Sequence, residues 1–399
     1  MPSSTVSTMN AVSTDCATKP WPTVRLGEVL TPTERGEAPM PGTTYRQIGV
    51  KLWGEGAYER EPMDGGATKY SQLFRAEAGD VIVNKIWARN GSVAVVSDAL
   101  AGCYGSGEFP MFAPKRNQLE SCWIHWLTKT RSFWAQCDEK SQGTSGKNRI
   151  KPERFLNVEI PLPPLAEQRR VVARIEELSA QIHEARTFRE EIDRDLNAML
   201  AAAHRQIAKD APRKPLSEVA PLNRRPVTVE LEKSYPAIAV RSFGRGTFHK
   251  PSLVGSEVTW EKPFLVKAGD ILVSNIKAWE GALAVAKPED DGRVGSHRYL
   301  TCVPTQGVAT ARFVCFHLLS PEGLHEIGEA SPGSADRNRT LGAKAFLQIP
   351  IPVPKYSNQV WFDSICAEVD ALKRLQAETA AELDALLPAL LDRAFKGEL

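Results

Sequence analysis

The side chains best suited to chemistry in this chain are cations, amides and aromatics, and they come in matched sets. Lys85, Trp87 and Arg89 follow one apolar run, and Asn275, Lys277 and Trp279 follow another. Lys147, Asn148 and Arg149 precede one Pro-rich segment, while Arg337, Asn338 and Arg339 precede a second. Lys51, Arg241 and Arg245 stand beside glycine turns, where a backbone can approach a ligand closely. Arg298 follows a Gly-Ser turn, and Glu108 occupies the matching place after the other such turn. These residue types read nucleic acid. Arg or Lys pairs with guanine edges, Asn with adenine, and Glu accepts from the cytosine amine, while further Lys and Arg hold phosphates. Each set also has a plainer role: a polar hairpin whose Trp packs on a domain edge, or the lead-in to a short helix.

Catalysis has no comparable support. The sequence holds no triad, no paired-carboxylate arrangement and no complete phosphate loop; Gly143-Thr-Ser-Gly-Lys147-Asn has neither the spacing nor the hydroxyl. Seven cysteines (16, 103, 122, 137, 302, 315 and 366) form no C-x-x-C pair, so neither a metal site nor a disulfide framework is expected, and a reducing cytosol is the simplest setting.

The elements that must position these residues are duplicated. Tyr45-Arg-Gln-Ile-Gly-Val50 matches Tyr235-Pro-Ala-Ile-Ala-Val240, and Ala78-Gly-Asp-Val-Ile-Val83 matches Ala268-Gly-Asp-Ile-Leu-Val273. Gly105-Ser106 matches Gly295-Ser296, and Asn148-Arg149 matches Asn338-Arg339, always at an offset of 190 residues (Tyr45 to Tyr235). A fixed offset over this length is an internal repeat. Glycines and apolar strand positions are retained, whereas the loop tips change: a frame reused to read two different ligands.

A long helix follows each copy. From Pro161 to about Ala208 no Gly or Pro interrupts roughly forty residues after Pro164, and apolar residues recur at steps of four and three. That narrow seam suits a partner helix, with Val171, Ile175, Leu178, Ile182, Ile192 and Leu196 as pairing positions. The stretch from about Gln359 to Phe395 supplies Ile365, Val369, Leu372, Leu383 and Leu386, and Pro388 should kink its last turns or start a short final helix. The fold class expected is α+β: two homologous mixed α/β domains, joined and separated by two long helices that pair as an antiparallel coiled coil, with pseudo-two-fold internal symmetry. Boundaries fall at 1–22 (disordered tail), 23–160 (first domain), 161–210 (central helix), 211–350 (second domain) and 351–399 (C-terminal helix).

A formal charge of +2 over 399 residues makes any nucleic-acid site a local patch rather than a property of the whole chain. The first 20 residues lack the basic lead and apolar core of a signal peptide, and no run is long and apolar enough to span a bilayer.

Ile160-Pro-Leu-Pro-Pro-Leu-Ala-Glu-Gln-Arg-Arg170 leading into a long helix resembles the central region of the specificity subunits of type I restriction-modification systems. The ending Leu386-Leu-Pro-Ala-Leu-Leu-Asp-Arg-Ala-Phe-Lys-Gly-Glu-Leu399 and the two Ala-Gly-Asp strands resemble the same family, although Pro354-Lys-Tyr-Ser-Asn-Gln359 departs from its Leu-x-Glu pattern. The resemblance implies two target-recognition domains, each reading half of a bipartite, asymmetric site in double-stranded DNA, with helices that fix the spacer. It implies two methyltransferase subunits docked on those helices and restriction/translocase subunits joined through the complex. S-adenosylmethionine, ATP and Mg would reside on those partners, with no cofactor on this chain and a cytoplasmic location in a bacterium or archaeon. Read without the resemblance, the same layout also suits a two-armed protein–protein adaptor. Steep loss of duplex affinity with salt distinguishes the DNA reader.

Overall fold

The computed structural model describes residues 21–142, 148–258, 262–333 and 339–399. The chain divides into two compact units: one comprises residues up to Thr187 together with Thr379–Leu399, the other Phe188–Glu378. Both long helices are therefore shared. The central helix, Leu165–Ala208, and the C-terminal helix, Tyr356–Phe395, each give one end to either unit.

In the first unit a four-stranded antiparallel sheet orders Leu30–Pro32, Met111–Pro114, Val81–Val83 and Val93–Val95. Gly79, at φ +89°, turns the chain into Val81–Val83, all three of which are buried. A second, five-stranded sheet carries Thr44–Val50 paired with Ala57–Asp64. Helices Ser121–Leu127 and Arg131–Glu139 close the core with Trp123, Ile124 and Phe133. The aromatic run around Trp123 is thus core.

The second unit repeats the plan. Ile271–Ser274 lies between Leu283–Val285 and Tyr299–Cys302, and Leu222 bridges to Cys302 as Pro32 pairs with Phe112. A buried ion pair recurs. Asp80 is gripped by Arg35 and accepts from the Glu77 N–H at 2.8 Å. Asp270 takes Arg225 through both terminal nitrogens at 2.6 and 3.1 Å and accepts from the Lys267 N–H at 2.8 Å. Burial pushes the Asp80 carboxyl above its ordinary value, so Arg35 has a desolvation cost to offset.

The offset of 190 does not persist to the end. Thr23 pairs with Pro161, whereas Arg213 pairs with Pro352, so the second copy carries one residue more and Ile351 takes the place of Ile160. The extra residue falls before Leu341: Leu341 N–H donates to Asn275 as Ile150 N–H donates to Lys85. The residue directly before this rung is thus Arg149 in the first unit and Thr340 in the second, with Arg339 one place earlier.

Each helix start is tied to its domain by one buried glutamine. Gln168 donates to the carbonyls of Gln118 and Pro163 at 2.8 Å each and accepts from the Glu120 N–H at 3.0 Å. Gln359 donates to Val308 and Pro354 at 2.9 and 3.0 Å and accepts from the Thr310 N–H at 3.0 Å. The second helix start keeps this anchor despite its divergent sequence.

Within the first unit Val171 and Ile175 pack with Leu391 and Ala394, and Arg186 meets Asp384 at 3.1 Å, so the two helix segments run antiparallel. Within the second, Leu196 and Leu200 join Phe362, Ile365 and Val369, and Lys373 donates to Asn197 at 2.7 Å. Leu178, Ile182 and Leu383 are half-buried. Ile192, Leu372 and Leu386 are about half-exposed, so the seam read from their spacing does not enclose them. The C-terminal helix runs on through Pro388, so of the two outcomes expected there a separate final helix does not form. Trp21, expected within a tail, packs edge-on against Trp123 at 5.3 Å; residues 1–20, where the rest of that tail falls, lie outside the described residues. No helix among the described residues is long and apolar enough to cross a membrane, and among them no group of His, Cys, Asp or Glu is placed to hold a metal.

Candidate nucleic-acid interface

Three chain segments far apart in sequence meet through backbone hydrogen bonds in each unit. In the first, Lys85 N–H donates to Glu108 at 3.1 Å and Ile150 N–H donates to Lys85 at 2.9 Å. In the second, Asn275 N–H donates to Arg298 at 2.9 Å and Leu341 N–H donates to Asn275 at 2.7 Å. This three-rung ladder fixes the spacing of the side chains that project from it.

Those side chains differ. In the first unit the Glu108 carboxylate lies between two cations: Lys85 Nζ is 3.8 Å from Oε1 and Arg149 Nε is 3.3 Å from Oε2. Neither approach is a short, well-directed bond, and Oε2 has no hydrogen-bond partner. Glu108 also lines a cleft of about 210 Å³ together with Gln47, Arg60, Tyr70, Asn84 and Trp87. In the second unit Arg298 is exposed, Asn275 Oδ1 lacks a hydrogen-bond partner, and Thr340 directly precedes the third rung, as Arg149 does in the first.

The neighbouring loop residues are tethered to different degrees. Lys277 donates to Glu280 at 2.6 Å, which holds that carboxyl below its usual range, and lies 5.3 Å from the centre of the Trp279 ring. Arg339 stacks over the same ring at 5.3 Å and donates to the carbonyls of Gly328 and Ser331 at 3.3 and 3.4 Å. Trp87 is exposed, and Arg89 is half-buried. Lys51 lies 3.8 Å from Glu55, Arg241 stacks over Phe248 at 4.9 Å and Arg245 over Phe243 at 5.6 Å. Asn148 is half-buried. Lys147, Arg337 and Asn338 lie outside the described residues.

Trp53 and Phe243 escape a reading of the sequence for charged tips. Both hold a left-handed backbone, φ +60° and +62°, which is strained for an aromatic residue. Each is pinned the same way: Trp53 N–H donates to Asn90 at 2.7 Å, and Phe243 N–H to Glu280 at 2.7 Å. The two residues are 58% and 71% exposed, with the Trp53 ring tilted against Trp134 at 6.1 Å, so no buried packing accounts for the strain. Strain that survives duplication at two exposed aromatics makes them candidates for a contact surface. The only signal in the sequence is the run of glycines after each, Gly54 and Gly56, Gly244 and Gly246.

The family model described as the type I restriction modification DNA specificity domain matches residues 18–193. No curated protein matches the chain. Among solved structures, the HsdS subunit from Thermoanaerobacter tengcongensis is similar over 95% of this chain and 97% of its own, at 25% identity and a TM-score of 0.57. A chain from a structure concerned with complex assembly and conformational transition of the type I R-M system is 24% identical, covers 95% of this chain and 98% of its own, and has a TM-score of 0.69. The second likeness speaks for the fold alone.

Proposed function

We propose that this chain is a member of the type I restriction-modification specificity family, whose model residues 18–193 match and whose fold the second unit repeats, and that it reads a bipartite, asymmetric target in duplex DNA. It is a non-catalytic DNA-recognition subunit. Each unit reads one half-site. The observation that carries this reading is the pair of ladders: one backbone frame, retained through duplication, presents Glu108 with Lys85 and Arg149 in one unit and Arg298 with Asn275 and Thr340 in the other. A duplicated scaffold with different polar tips is what two different half-sites require.

The long helices fix the unread spacer and dock two methyltransferase subunits. Exposed apolar residues on them, Ile192, Met199, Val360, Trp361, Leu372 and Leu386, support a partner covering those faces. Methylation from S-adenosylmethionine and ATP- and Mg-dependent translocation and cleavage belong to the methyltransferase and restriction subunits of the complex. The adaptor reading leaves the matched polar ladders without a purpose.

Binding to random duplex DNA, measured against salt with and without the methyltransferase partner, tests the proposal. Affinity should fall roughly linearly on a log–log scale with a slope set by the phosphates neutralised, as displaced counterions demand. A slope near zero in both cases would leave the adaptor.

A further inference from the structure

We propose that the three-rung ladder is the base-reading element of each unit, with Glu108 selecting a base that offers an exocyclic amine and Arg298 selecting guanine. This rests on the DNA-reading function above and assigns the residues that set its specificity.

A carboxylate facing a polyanion is repelled unless cations flank it. Glu108 is flanked on both sides, by Lys85 and Arg149, each too far away or too poorly aligned to satisfy its oxygens. The carboxylate is thus neutralised without being used up: Oε2 is turned inward toward Arg149, and the partly exposed side chain faces the cleft it lines, where a donor from outside can reach it. Cytosine N4 and adenine N6 are such donors. The adjoining cleft, walled by Trp87, Tyr70 and Gln47, offers flat apolar surface and an amide beside the carboxylate.

The second unit supplies the control. Where Glu108 is replaced by Arg298, Lys85 is replaced by Asn275, and Thr340 rather than an arginine directly precedes the third rung. Arg339, one place earlier, is turned to the Trp279 ring and the carbonyls of Gly328 and Ser331, so the flanking cations go with the acid they flank. Three positions distant in sequence change in concert, in the sense that electrostatics at one point in space requires. Stability does not account for this arrangement, because partly exposed ion pairs that are long or poorly aligned contribute little, about 0–1 kcal/mol. Arg298 is exposed, as a bidentate reader of guanine O6 and N7 must be.

The test uses the full chain in complex with its methyltransferase partner, with methylated positions determined by sequencing for the wild type, Glu108→Gln, Arg298→Ala and Arg298→Lys. Glu108→Gln should change or relax one position of one half-site that carries cytosine or adenine on the read strand, and leave the other half-site untouched. Arg298→Ala should relax one guanine in the other half-site; Arg298→Lys keeps the charge but loses the planar fork, and should relax the same guanine more weakly. Affinity for the wild-type target should fall about 5- to 150-fold for the Gln and Ala variants, the range of one base contact, with affinity for random duplex unchanged within about twofold. Unaltered methylation in all three variants, or equal loss at both half-sites, would overturn the assignment, as would parallel loss of random-duplex affinity. A wild-type complex with no sequence preference would overturn the DNA-reading function and this assignment with it.

Discussion

The two units share a backbone and diverge where it presents polar side chains. In the first, an acid between two bases faces a small aromatic-walled cleft; in the second, an arginine and an amide stand on the same rungs. Beneath those tips almost nothing changes: Asp80 with Arg35 becomes Asp270 with Arg225, Gln168 becomes Gln359, and Trp53 becomes Phe243 at the same strained φ. The helix contact changes in one way that matters. Phe395 meets Trp123 edge-on at 4.8 Å in the first unit, while His204 stacks on Phe313 at 4.9 Å in the second. Framework and readout have therefore been under different constraints: buried hydrogen-bonding groups must keep their partners, and tips need only suit their ligand.

Six substitutions, grouped in four tests, probe how far that equivalence goes. The largest effect is expected for Arg35→Ala and Arg225→Ala, which strand a buried carboxylate and should each cost about 3–5 kcal/mol in the unit concerned. Hydrogen exchange resolved by unit would measure this, and a loss confined to one of the two would break the equivalence. Gln168→Ala and Gln359→Ala should follow at about 2–3 kcal/mol each, since every one strands two carbonyls and an N–H. Denaturation midpoints for the pair should shift alike.

A difference, rather than a likeness, governs the third. His204 and His317 are buried against one another, and desolvation pulls both rings down to about 4 from an ordinary 6.5. Below pH 6.5 the unfolded chain takes up protons that the folded second unit refuses, so its stability should fall as pH drops toward 4. His204→Phe, which copies Phe395, should make that fall shallower in urea midpoints recorded between pH 7 and 4.5. An unchanged pH slope would show that His204 does not titrate with unfolding. The smallest effect belongs to Phe243→Gly. Relief of left-handed strain offsets the entropy of a new glycine, and the net gain should be about 0.5 kcal/mol by thermal unfolding. A loss above about 1 kcal/mol would mean that the ring packs and is not held out for a partner.

Much of the framework was legible because it rests on local pattern. The Ala-Gly-Asp turns feeding apolar strands, the constant offset from Tyr45 to Ser296 and the unbroken helical runs are all short-range features of the sequence. What was hidden is what tertiary contact decides. The one-residue shift before Leu341 cannot be seen while Asn338-Arg339 matches at the old offset, and only hydrogen-bond register exposes it. Periodicity found the seam of the long helices but not what covers it, so Ile192, Leu372 and Leu386 read as buried and are not. The ladder joins positions 85, 108 and 149, which no sequence window spans, and its meaning lies in their concerted change rather than in any one of them.

Replacing residues 24–160 with the corresponding segment of a relative that reads a different target, then sequencing methylated positions in cells carrying the exchanged chain and its methyltransferase partner, addresses the account most directly. One half of the methylated sequence should change while the other half and the spacer stay as they were. Change in both halves, or in neither, would contradict two independent reading heads on one duplicated frame.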